Sequence, residues 1–216
     1  MMTKQHTTIL ALIGALLVAA VPTVASAGMA EDVKAVNDSW AHITYEVKGS
    51  STQTRALDRL AKRAAALVAL YPGKAEPLLW QGIVTSEQAN RANIFHKLGL
   101  ARKARDILAR AYAIDPATAK GGAAMSLGVL YHKVPGSPIG FGDDDRARQL
   151  LQEALAIDPN GLDANYFYGD FLLDQGDTAG ARSHLLKALK APHDPGRPAW
   201  DAGRRREVQA LLAKTR

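Results

Sequence analysis

Residues 165–192, NYFYGDFLLDQGDTAGARSHLLKALKAP, decide the fold. Gln175-Gly176-Asp177 is a turn signal between two helical patterns. Gly169 in the first pattern, with Ala181, Leu185 and Ala188 at helical spacing in the second, puts small side chains where two antiparallel helices cross. Leu185 is then the side chain that fills the groove between them. Pro192 closes the pair, because proline has no N–H with which to continue a helix.

The same order of residues recurs upstream. Gly128, Ala147, Leu151, Ala154 and Pro159 repeat it, and Gly82, Ala104, Leu108, Ala111 and Pro116 repeat it again. From glycine to first alanine the separation is 12 residues in the last unit, 19 in the middle one and 22 in the earliest, so insertions of seven and ten residues lie between the helices of the earlier units. Before Pro72, Leu57, Leu60, Ala64 and Leu67 read as the second helix of a degenerate unit. Its first helix carries Val33, Val36, Trp40, Ile43 and Val47 on one stripe, with Glu31 and Asp32 complementing the helix dipole. Gly49-Ser50-Ser51 separates the two. Successive closing prolines stand 44, 43 and 33 residues apart, and a helix–turn–helix period of roughly 34 residues marks a stacked array.

At the other end, residues 199–214 read as a capping helix, with Val208, Leu211 and Leu212 on one face and Arg204, Arg205 and Arg206 on an expected solvated face. A terminal repeat needs such a cover for its open apolar side. Alternating β-branched patterns are absent. The expectation is therefore an all-α solenoid of nine helices in antiparallel pairs, with units at about 31–72, 75–116, 119–159 and 162–192 ahead of the cap, curving as a right-handed arc.

Over residues 56–192 these positions resemble the tetratricopeptide repeat (TPR). Gly128-Val129-Leu130-Tyr131, the loop Val134-Pro135-Gly136-Ser137-Pro138-Ile139-Gly140-Phe141-Gly142-Asp143-Asp144, and Asn165-Tyr166-Phe167-Tyr168-Gly169-Asp170-Phe171 resemble exported bacterial TPR proteins similar to the T component of tripartite ATP-independent periplasmic (TRAP) transporters. That resemblance implies a periplasmic helical protein that engages a substrate-binding protein and offers an apolar ligand passage. Lipoprotein members carry an N-terminal Cys; this chain contains none.

The N terminus fits export. Met1 to Thr8 is polar and holds Lys4, residues 9–20 are apolar, and Ala25-Ser26-Ala27 offers a cleavage site, so residues 1–27 read as a signal peptide. The apolar run is shorter than the roughly 20 residues a spanning helix requires, and no stable membrane span is expected after cleavage. The expected location is the periplasm. The formal charge of +6 is dispersed among acids, which suits solvated helix faces and not a nucleic-acid partner.

Catalytic and metal patterns are missing. His42, His96, His132, His184 and His193 form no metal-ligating helical pair. Gly73-Lys74 lacks the upstream glycine of a phosphate loop. No nucleophile elbow is present. Asp143, Asp144 and Asp145 cannot all face one ion, and helix capping accounts for them. No cofactor and no enzymatic activity are expected.

The repeat register assigns the concave wall to first helices: Leu79, Ile83 and Ser86, then Met125, Val129 and His132, then Tyr166, Asp170 and Leu173. Phe141 joins them if the inserted loop grips a ligand; in the other reading the loop is a packed connector with Ile139 and Phe141 in the core. A mostly apolar lining suits an extended peptide or a partner helix. The lead expectation is a non-catalytic scaffold docking a protein or peptide on its concave face, a periplasmic binding protein among the candidates. The alternative is a small-ligand-binding accessory of a TRAP-like transport system.

Overall fold

The computed structural model describes residues 28–216; the expected signal segment lies outside them. Among the described residues there are nine helices: α1 (Met29–Tyr45), α2 (Ser50–Leu70), α3 (Ala75–Arg91), α4 (Ile94–Ile114), α5 (Thr118–Lys133), α6 (Asp144–Ile157), α7 (Leu162–Asp174), α8 (Thr178–Leu189) and α9 (Pro198–Ala213). They form the expected helical solenoid, each helix packing on the next.

The recurring glycines sit at the crossings. A Cβ placed on Gly169 would lie 3.0 Å from Leu185 Cγ and 3.3 Å from the Ala181 carbonyl oxygen. On Gly128 it would lie 2.8 Å from Leu151 Cγ, and on Gly82 2.5 Å from Leu108 Cγ. The three leucines are buried. Each pair of helices therefore approaches as closely as a missing side chain allows, and one leucine fills the contact.

The two insertions take different forms. The ten extra residues of the earliest full unit lengthen its helices: α3 and α4 run 17 and 21 residues, against 13 and 12 in α7 and α8. They meet at Ala92-Asn93, and the Asn93 side chain caps α4 by accepting from the His96 amide. The seven extra residues of the next unit make a loop instead. The Gly140 amide donates to the Gly136 carbonyl at 3.0 Å, Gly142 to Pro135 at 2.9 Å and Asp143 to Tyr131 at 2.9 Å. Asp143 caps α6, accepting from the Arg146 amide at 2.9 Å, and Ser137-Pro138 is cis. At the start of α5, Ala119, Lys120 and Gly121 all have positive φ, so a left-handed turn precedes its regular part.

The curvature goes further than an open arc. The odd-numbered helices pack in succession, α1 on α3, α3 on α5, α5 on α7 and α7 on α9, and α9 packs back on α1. Arg197 meets Asn37 while Glu207 meets Tyr45, so α9 runs parallel to α1. The inner helices thus close a ring, and one core joins the two chain ends, with Val36, Trp40, Leu57 and Leu67 sharing it with Leu185, Trp200 and Val208.

Closure corrects the reading of the cap. α9 is covered by α1, α7 and α8, so Arg204 is buried at 6% exposure. Arg205 pairs with Asp201 and donates to the Leu189 and Ala191 carbonyls. Of the three arginines only Arg206 lies on an exposed face.

Candidate functional site

The ring encloses a cavity of about 520 Å³. Trp40 and Thr44 of α1, Leu79, Trp80 and Ile83 of α3, Met125 and Val129 of α5, and Phe167 of α7 contribute its wall. Trp40 and Trp80 pack tilted, with ring centroids 5.9 Å apart. Arg197, Asp163 and Ala119 stand at the starts of α9, α7 and α5, whereas Lys133, Pro135 and Ile139 lie at or beyond the end of α5. The cavity therefore extends along the inner helices, with Asp163 and Arg197 at one rim and, at the other, Ile94, Leu98 and Ile139 interspersed with Glu87, Lys97 and Lys133.

Most charges beside this space are matched. Arg204 Nε donates to Asp163 Oδ1 at 2.6 Å and its Nη1 to Glu207 Oε2 at 2.6 Å. Its guanidinium also lies 4.5 Å and 4.6 Å from the Tyr166 and Phe167 ring centroids. Burial opposes the charge on Arg204, but Asp163, Tyr45 and Glu207 outweigh that and hold its pKa above the ordinary value. Burial pushes the Tyr166 hydroxyl up to about 12, Arg204 working against the shift. Tyr45 donates to Glu207 at 3.2 Å and is raised, first by burial. At the far rim Lys133 pairs with Asp170 at 2.8 Å and with Asp174.

Three polar groups of wall-forming residues have fewer partners. The Arg197 Nε and Nη2 both donate to Asn37 Oδ1, at 3.3 Å and 3.0 Å, and its guanidinium stacks 4.0 Å from the Trp200 ring centroid. It forms no ion pair among the described residues. Burial, with a smaller contribution from Arg204, lowers its pKa more than the charges of Asp163, Asp194 and Asp38 raise it. Trp40 Nε1 and Thr44 Oγ1, one turn apart on α1, are covered by protein atoms and have no hydrogen-bond partner among the described residues.

The expected concave residues divide. Leu79, Ile83, Ser86, Met125 and Val129 all border the cavity. Tyr166 does not: α7 is rotated so that Asp163 and Phe167, one turn apart, face inward, while Tyr166 lies under Arg204 at the junction with α9. Leu173 packs into the core. His132 turns away from the cavity, its Nδ1 2.9 Å from Asp144 Oδ1, its Nε2 2.9 Å from Asp174 Oδ2, and its ring against Phe171. Asp170 reaches the rim only through Lys133. Phe141 is not a cavity wall. The Gly142-to-Pro135 bond folds the loop back, so that Phe141 meets Tyr131 edge-on at 5.7 Å under the Arg105 guanidinium, 4.6 Å from its ring. Ile139, expected in the core by the connector reading, instead stands at the rim with 69% exposure.

The sequence places Trp40 on an undifferentiated apolar stripe and gives no signal for Thr44, Trp80 or Arg197. Nothing local distinguishes Arg197 from other surface arginines; the neighbouring Pro198, at the first helical position, marks only where α9 starts. Among the described residues no cluster of three His, Asp or Glu side chains could hold a metal ion, and no helix is long and apolar enough to cross a membrane.

Residues 139–215 match the family model described as tetratricopeptide repeat. The chain is similar in fold to TTC0263, a thermophilic TPR protein in Thermus thermophilus, with a TM-score of 0.57 at 16% identity, covering 76% of this chain and 77% of that one. The structure of MamA aligns at 19% identity and a TM-score of 0.44, covering 78% of this chain and 93% of that one. No curated protein matches the sequence.

Proposed function

We propose that this chain, a tetratricopeptide-repeat protein, is a non-catalytic binding protein of the periplasm whose ring holds an apolar small ligand and whose rim at Ile94 and Ile139 meets a protein partner. The carrying observation is the closed inner ring around a cavity of about 520 Å³. That volume is in the range of small-molecule sites, roughly 300–1,000 Å³, and its few polar groups on an apolar wall are the usual composition of such sites. A partner helix, about 10 Å across with its side chains, would not fit the closed ring as it would an open groove, so the protein partner is assigned to the rim. There Ile94 and Ile139 line the cavity mouth at 79% and 69% exposure, and Phe95, next to Ile94 in the chain, is 90% exposed; large apolar side chains left open to water are a usual mark of an interaction surface. TPR folds serve as protein–protein interaction scaffolds, and an accessory place in TRAP-like transport combines the rim with the ligand cavity.

Native mass spectrometry of detergent-free protein tests the cavity: a bound small molecule is expected in the unaltered chain and absent in Met125→Glu. Repeated recovery of empty unaltered protein would remove this reading. Amino-terminal sequencing of protein from the periplasmic fraction should begin near Gly28; an intact Met1 in a cytoplasmic fraction would refute the location.

A further inference from the structure

Resting on the reading that a protein partner meets the rim, we infer that this partner is acidic and docks across the outer face of α2 and α4, covering the exposed Ile94 and Phe95. The positive excess that the sequence reads as dispersed is gathered on these two helices. α2 carries four Lys and Arg side chains with one acid, and α4 five with one, together a larger excess than the +6 of the whole chain. Residues 88–105 hold no Asp or Glu. Few of these cations are answered. Arg105 pairs with Asp106, but Arg59, Lys62, Arg102 and Lys103 are exposed and enter no ion pair among the described residues. Like charges gathered on one face repel one another, and an anionic partner relieves that repulsion.

The shape of the face decides what kind of anion fits. α2 and α4 both pack on α3, and a second cavity, of about 480 Å³, lies between them. Leu57 and Asp58 of α2, Gln88 and Arg91 of α3, and His96 and Leu100 of α4 line it. Lys62 follows Asp58 by one turn and Lys103 follows Leu100 by one turn, so both cations continue the walls of this hollow. Ile94 borders the ring cavity and His96 the second one. The start of α4 is thus a ridge between two hollows, with Phe95 on it. A lipid surface, flat at this scale, would leave the hollow between α2 and α4 unfilled. A protein surface fills it, setting apolar side chains over Ile94 and Phe95 and carboxylates against the flanking cations.

Fluorescence anisotropy of two dye-labelled amphipathic helical peptides, one built of Leu and Glu and its counterpart of Leu and Lys, tests this with the purified chain. The Glu peptide is expected to bind about tenfold more tightly than the Lys peptide. That advantage should vanish as salt rises from about 0.1 M to about 1 M, where the screening length falls from about 10 Å to about 3 Å. Lys62→Glu combined with Lys103→Glu should erase the preference, and Phe95→Ser should weaken the Glu peptide. Lys187→Glu combined with Lys190→Glu on α8 should change nothing. All these side chains are exposed, so the variants should melt as the unaltered chain does. Equal binding of the two peptides that still needs Phe95 would overturn the acidic partner and leave a protein at the rim. Binding of neither would remove both, and sedimentation with phosphatidylglycerol vesicles in their place would give the face to a membrane. Cavity occupancy, read separately by native mass spectrometry, stands or falls apart from these outcomes.

Discussion

At the joint between α7 and α8 contact is made by subtraction: Gly169 has no side chain, and Leu185 occupies the space. At the seam where α9 meets α1 and α7, contact is made by charge, with Arg204 reaching Asp163 and Glu207 and Tyr45 completing the cluster. Gly203 shows that both means meet there, since a Cβ on it would fall 2.3 Å from the Tyr45 ring. The joint is a local solution, repeated three times along the chain. The seam is made once, between residues some 160 positions apart, and its buried charges are stable only while every partner is present.

Removing Arg204 should therefore be the most damaging change. Arg204→Met takes both ion pairs from Asp163 and Glu207, leaving them only the hydrogen bonds from Trp200 and Tyr45, and is expected to cost about 3–5 kcal/mol in chemical denaturation; a loss under about 1 kcal/mol would mean that water already reaches the seam. At the joint, Leu185→Ala should cost about 2–5 kcal/mol, because the glycine side has no atoms with which to close the cavity. Gly169→Ala should cost about 1–3 kcal/mol through overpacking. By contrast, Gly99→Ala in α4, where a Cβ meets nothing within 4 Å, should raise stability by about 0.5–1 kcal/mol. Equal effects at Gly169 and Gly99 would deny the joint its steric meaning.

The smallest expected effect is on the pH dependence of the seam's outer edge. Burial raises the Asp201 carboxyl, but the hydrogen bonds from Arg205 and His193 outweigh it and hold the pKa below the usual carboxylate range. A lowered folded-state pKa contributes stability that is present above the unfolded value, roughly 3.9, and lost as pH falls through the lower folded value. Asp201→Asn should flatten that part of the acid denaturation curve and leave the neutral region's slope unchanged. An acid limb identical to that of the unaltered protein would assign the sensitivity elsewhere.

How far the sequence could be read follows from the same contrast. Gly82, Gly128 and Gly169 are legible because a crossing between neighbouring helices leaves a fixed spacing of small and large residues. The cavity wall is legible in part. Leu79, Ile83, Met125 and Val129 follow from repeat register, but Tyr166 and Phe141 do not, because the rotation of α7 and the fold-back at Gly142 alter which neighbour faces inward. The place of Arg197 beside the cavity carries no signal at all, since it depends on where α9 meets α1.

By itself, then, the sequence determined the helices, their pairing and the side chains at each joint, because those depend on contacts between segments adjacent in the chain. Only the tertiary structure decided that the arc closes, that Arg204 is interior, that one insertion became helix and the other a loop, and that an apolar space lies at the centre. Curvature accumulates over every joint, and small rotations at each decide whether the two ends meet.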